Sequence, residues 1–93
     1  MIRSFKCKET EKIWHGNASR RFPRDIQNRA LSKLRQLAAA TIIDDLKIPN
    51  SNRLESLKGD RKNQWSIRIN QQWRICFNWN KAEALNIEIV DYH

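Results

Sequence analysis

Residues 1–6 alternate apolar and polar side chains and predict a short first strand. Residues 7–15 then form a short predicted helix, with Glu9 and Glu11 in its first turns, where the helix dipole favours anions. Gly16 is its expected C-terminal stop. Pro23 suits the first position of a second helix. There Ile26, Ala30, Leu34, Leu37 and Ala38 fall on one stripe that runs to about residue 40. Residues 41–46 add a further helical turn, and the breakers in residues 48–52 predict a loop. After residue 52 the period changes from that of a helix to that of a strand. Trp65, Ile67 and Ile69 point one way, with Ser66, Arg68 and Asn70 opposite. Residues 70–72 are short enough for a hairpin. The next strand sets Trp73, Ile75, Phe77 and Trp79 against Arg74, Cys76 and Asn78. Residues 80–83 turn the chain into a last strand, with Leu85, Ile87 and Ile89 inward and Asn86, Glu88, Val90 and Tyr92 outward. The order is one strand, two helices and a three-strand meander. It defines a small α+β domain spanning residues 1–93, with the helices packed on an antiparallel sheet.

Composition narrows the class. Gly and Pro total only four residues, so most of the chain belongs in regular elements, and a collagenous, low-complexity or disordered protein is excluded. Cys7 and Cys76 could form at most one bridge, too few for a disulfide-built scaffold. Without a CxxC pair, and with His15 and His93 far apart, no metal site or cofactor is expected. The charged start lacks a signal-peptide core, and the longest apolar-leaning run falls far short of the ~20 residues that span a bilayer. A cytoplasmic protein without membrane contact is the expectation.

The net charge of +8 is unevenly spread. Residues 1–50 hold 11 basic and 5 acidic side chains, whereas residues 51–93 hold 7 and 5. Arg20, Arg21, Arg24, Arg29, Lys33 and Arg35 form a basic helical surface, expected behind the sheet. It is either an ordinary solvated face or a contact for a phosphate-rich partner. Parity sets Arg68, Arg74 and Tyr92 together on the polar sheet face, which is expected to be exposed. That face is either plain solvated surface or an anion and nucleic-acid site. Trp65, Trp73 and Trp79 share the parity of the isoleucines, which favours core packing over base stacking. The turn Leu57-Lys58-Gly59-Asp60-Arg61 places two cations just before the sheet, a pattern that by itself reads as a surface turn.

Together these segments resemble the HigB-type toxins of the RelE/ParE superfamily. The resemblance is carried by Ile2-Arg3-Ser4-Phe5 and by Arg53-Leu54-Glu55-Ser56-Leu57-Lys58-Gly59-Asp60-Arg61. It continues through Trp65-Ser66-Ile67-Arg68-Ile69-Asn70, Gln72-Trp73-Arg74-Ile75-Cys76-Phe77 and Glu88-Ile89-Val90-Asp91-Tyr92-His93. It implies a RelE-like fold and the toxin of a type II toxin–antitoxin pair, a ribosome-dependent endoribonuclease that cleaves messenger RNA. The implied working residues are Lys58, Arg74, Tyr92 and His93. Many relatives carry histidine three residues before that lysine, where this chain has Glu55, so either Glu55 or His93 would be the general base.

Cleavage by the 2′-hydroxyl without a metal needs a base, a proton donor and positive charge on the phosphoryl oxygens. Arg74 and Lys58 fit the last role, Tyr92 a stacking or 2′-hydroxyl contact. Arg20, Arg21, Arg24, Arg61 and Arg68 are the expected RNA- and ribosome-binding residues. The implied partners are a helix-turn-helix, HigA-like antitoxin, the ribosome and its message, with the free toxin a monomer. The alternative is a basic module that binds RNA, ribosome or antitoxin without cleaving.

Overall fold

The computed structural model describes residues 1–91. Two helices, α1 (Lys8–Trp14) and α2 (Arg24–Ala39), precede a four-stranded antiparallel sheet in the order β1 (Glu55–Ser56), β2 (Gln64–Arg68), β3 (Trp73–Asn80) and β4 (Glu83–Asp91). Short 3₁₀ turns at Ile43–Lys47, Asn50–Asn52 and Gly59–Arg61 fill the connections. None of the described helices is long and apolar enough to cross a membrane.

The predicted first strand forms only the isolated bridges Ile2↔Ala84 and Phe5↔Ile87, and these are parallel to β4 rather than antiparallel. Its backbone nevertheless covers that edge, with Arg3 N–H donating to Ala84 O at 2.8 Å and Lys6 N–H to Ile87 O at 2.9 Å. Beyond Ile87 the role passes to α1, whose buried Thr10 Oγ1 accepts the Ile89 N–H at 3.0 Å. Paired or capped N–H groups blunt an edge that would otherwise recruit another strand.

The α2 stripe packs as its spacing predicts. Ile26, Ala30, Leu34 and Leu37 are buried against Ile67, Ile69, Ile75, Phe77, Ile87 and Ile89 of the sheet, while Ala38 is half-buried. Pro23 lies one residue before the helix, as its cap. Trp65, Trp73 and Trp79 pack half-buried around this core, with Trp73 edge-on to Phe22 at 5.6 Å.

The structure departs from the sequence pattern at three further places. First, β1 is absent from the sequence reading. It has two exposed residues and no apolar periodicity, and exists because it pairs with Trp65 and Ser66. Second, Leu85 is not the inward residue. The register shifts between Cys76↔Glu88 and Asn78↔Leu85, a bulge that places Ala84 in the core and leaves Leu85 half-buried. Asn86 absorbs the extra residue at φ 53°, a left-handed conformation that asparagine tolerates better than most side chains. Third, Lys33 does not belong to a solvated face. It is 8% exposed, and its Nζ donates to Asn52 Oδ1 at 2.5 Å.

Candidate functional site

Register on the polar face aligns Glu55, Ser66, Cys76 and Glu88 as one cross-strand row, and Arg68, Arg74 and Val90 as the next. The small Ser66 and Cys76 side chains at the centre of the first row leave room for a long one from the second to lie flat. Arg74 takes that room. Its Nε donates to Ser66 Oγ at 2.8 Å, and its Nη2 to Arg53 O at 2.6 Å and to Ser66 O at 3.4 Å. The Arg53 carbonyl belongs to a residue in the left-handed conformation (φ 47°) at the end of the Asn50–Asn52 turn.

Arg74 is therefore 8% exposed, which corrects the expectation of an open polar face. Ser66 and Cys76 on that face are also buried, and burial pushes the Cys76 thiol up, away from thiolate. Parity correctly says which residues share the face. It cannot say that Arg53 and β1 shelter it. Glu55 Oε1 lies 3.7 Å from Arg74 Nη2, and the Glu55 side chain is 47% exposed. A fixed guanidinium thus adjoins an accessible carboxylate.

Lys58 stands exposed at the mouth of the Gly59–Arg61 turn. Gly59 permits this turn, since its φ of 66° is strained for any side chain. Arg61 at the turn's end points inward, donating to Gln64 Oε1 at 3.1 Å and pairing with Glu88 Oε2 at 3.2 Å. Lys6 joins the same carboxylate at 3.4 Å. Arg68, opposite Arg74, turns away from it and donates through Nε to Asn70 O at 3.1 Å. Tyr92 and His93 lie outside the described residues.

Arg20, Arg21 and Arg24 are exposed before and at the start of α2. The basic surface does not lie wholly behind the sheet, however. Arg21 lines a groove with Glu88, Val90 and Asp91 at the β4 edge, with its guanidinium 6.0 Å from the Phe22 ring centroid. Sequence reasoning missed Ser66 and the Arg53 carbonyl as the groups that orient Arg74. The signal for Ser66 was present: a lone small polar residue between Trp65 and Ile67, two positions from the one facing Arg74.

The helix pair thus packs on one face of a short antiparallel sheet, and the buried Arg74 is held on the other, a small α+β arrangement. The same fold occurs in the YoeB-YefM complex from Staphylococcus aureus (TM-score 0.57, 14% identity, covering 100% of this chain and 95% of that one). It occurs also in a YafQ mutant from E. coli (TM-score 0.56, 13% identity, covering 94% and 89%). Sequence comparison is more specific. Residues 3–93 match the family described as RelE-like toxin of the type II toxin–antitoxin system HigB, and the chain belongs to that family. It is 40% identical over 87 residues to Toxin HigB-1 of Vibrio cholerae serotype O1, covering 92% of each chain. It is 32% identical over 93 residues to Endoribonuclease HigB of Proteus vulgaris, covering all of both.

Proposed function

We propose that this chain is an endoribonuclease that cleaves messenger RNA on the ribosome and so inhibits translation. The observation that carries this reading is the Arg74 guanidinium, held rigid by Ser66 and the Arg53 carbonyl beside the accessible Glu55. A preorganised cation adjoining a carboxylate suits a reaction in which a phosphoryl group gains charge as a proton is removed.

In this reading Glu55 takes the proton of the 2′-hydroxyl, whose oxygen attacks the adjacent phosphorus. The bond to the 5′-oxygen breaks, and that oxygen receives a proton from His93. The products are a 2′,3′-cyclic phosphate and a 5′-hydroxyl. Arg74 and Lys58 supply positive charge to the phosphoryl oxygens as they gain negative charge. Tyr92 contacts the base or the ribose. Arg20, Arg21 and Arg24 dock the protein on ribosomal RNA, and the ribosome presents the message in a cleavable shape. The neutralising partner is a helix-turn-helix, HigA-like antitoxin. The free toxin is a cytoplasmic monomer.

Purified protein added to ribosomes carrying an end-labelled message tests this. Cleavage leaving a 2′,3′-cyclic phosphate, or its 3′-phosphate hydrolysis product, is expected. An intact message would support a binding module that does not cleave, and a 3′-hydroxyl end would indicate attack by water.

A further inference from the structure

Arg68 and Arg74 are cross-strand partners, yet their guanidiniums diverge: Arg74 toward Ser66 and Arg53, Arg68 toward the carbonyl of Asn70. Like charges directly opposite on a sheet repel, so divergence is expected. Its consequence is a second concentration of charge. At the end of β2, Arg68 lines a groove of about 380 Å³ whose other wall is α2, contributing Arg29 and Lys33. Arg29 Nη1 donates to Ile69 O at 3.4 Å, across the same groove. Three cations thus converge there from two elements. Among the described residues none of the three has a carboxylate within ion-pairing distance.

Lys33 is the most telling of the three. It is almost fully buried, and its Nζ is held by Asn52 Oδ1. Asn52 is itself fixed, because its Nδ2 donates to Gln36 Oε1 at 3.0 Å and to Leu46 O at 3.1 Å. Burial and the neighbouring Arg29 charge both push the Lys33 ammonium toward deprotonation. A buried ammonium without a counterion is a costly arrangement, and an anion in the groove would relieve it. Guanidiniums favour phosphate, which they can engage through two parallel hydrogen bonds.

We propose that this groove is a second RNA-backbone site, in which Arg29, Lys33 and Arg68 hold a phosphodiester of the message neighbouring the one at Arg74. The proposal rests on the RNA-cleaving reading above and extends it. Arg68 and Arg74, side by side on adjacent strands, form the bridge between the two sites. The groove fixes the path of the strand, so that only one phosphate at a time can lie at Arg74.

The test uses 2′-O-methyl oligoribonucleotides, which lack the attacking hydroxyl, in a length series beginning at one internal phosphate. Binding is measured by fluorescence anisotropy for the natural chain, for Lys33→Met, and for the double variant Arg29→Gln/Arg68→Gln. The double variant changes no fully buried residue, and thermal unfolding checks that both variants fold. For the natural chain, affinity should rise by about tenfold once the strand is long enough to carry a second phosphate into the groove. Both variants should lose that step. Their salt dependence should be shallower by about 0.7 in log–log slope for each phosphate contact removed. Variants that keep the step and the slope would overturn the assignment. So would unchanged oligonucleotide binding with weakened ribosome binding, which would give the groove to ribosomal RNA. Cleavage of a ribosome-bound message by the natural chain is measured in parallel. An inactive natural chain would sink the nuclease reading, while the length series would still decide whether the groove takes phosphate.

Discussion

At the scale of the residue, the two cations of the site differ in one respect. Arg74 is buried and tied to Ser66 and Arg53, whereas Lys58 stands in solvent on a glycine-dependent turn. Their removal should therefore read out differently. Arg74→Ala abandons the Arg53 carbonyl and the Ser66 hydroxyl and should cost about 1–3 kcal/mol of stability, together with roughly a hundredfold to a thousandfold in cleavage. Lys58→Ala should lose roughly tenfold to a hundredfold in cleavage while its unfolding midpoint stays that of the natural chain. Chemical denaturation and single-turnover cleavage of a ribosome-bound message check both. Equal stability losses in the two variants would mean that burial has been assigned to the wrong cation. Arg74→Lys keeps the charge and loses the planar fork, so a rate between those of arginine and alanine is expected.

At the scale of the element, legibility followed period and length. The α2 stripe repeats over sixteen residues, and the β2–β3 hairpin alternates cleanly, so both could be read from spacing. β1 is two residues long and stabilised by a partner distant in sequence, which leaves no local signal. The β4 bulge inserts one residue without changing composition, so Ala84 and Leu85 exchange places invisibly. Of the site, parity made legible only that Arg74 shares the polar face with Arg68; Glu55 joins them through the β1 register, and the cover that buries Arg74 comes from the loop after α2. Lys33 was hidden for a similar reason, since its Asn52 partner belongs to that loop. The turn at Ile43–Lys47 carries its own prediction. Asp45 accepts hydrogen bonds from Thr41 N–H at 2.9 Å and Ile42 N–H at 3.3 Å, which hold its carboxyl below the ordinary value of 3.8. A lowered folded-state value means that the stability it supplies is fully present above that ordinary value. It is lost as pH falls through the lowered one. Asp45→Asn should lower the unfolding midpoint at neutral pH, with the gap from the natural chain closing as pH falls below about 3.8. A pH-independent gap would assign the effect to packing instead.

At the scale of the whole molecule, the fold separates two tasks. One sheet face and its helices build the core, and the other face holds a small charged site whose rigid part is Arg74. The basic segment before α2 reaches the β4 edge through Arg21 and continues toward Arg24 on exposed surface. Exposed charge of this kind acts over about 8 Å at physiological salt, which suits docking on a large polyanion better than gripping a single bond. Half-buried tryptophans on the core side leave few aromatic platforms for a bare strand, so cleavage should be much faster on programmed ribosomes than on free RNA. In the proposed reaction the 2′-hydroxyl of the message is the nucleophile, and the protein supplies charge and proton transfer around it. The most direct test is single-turnover cleavage of two ribosome-bound messages, one all-ribose and one with a single 2′-deoxynucleotide 5′ to the cleaved bond. Cleavage of the first, with a 2′,3′-cyclic phosphate end, and none at the deoxy position of the second is expected; cleavage of both at the same bond and similar rates would rule out the 2′-hydroxyl as nucleophile.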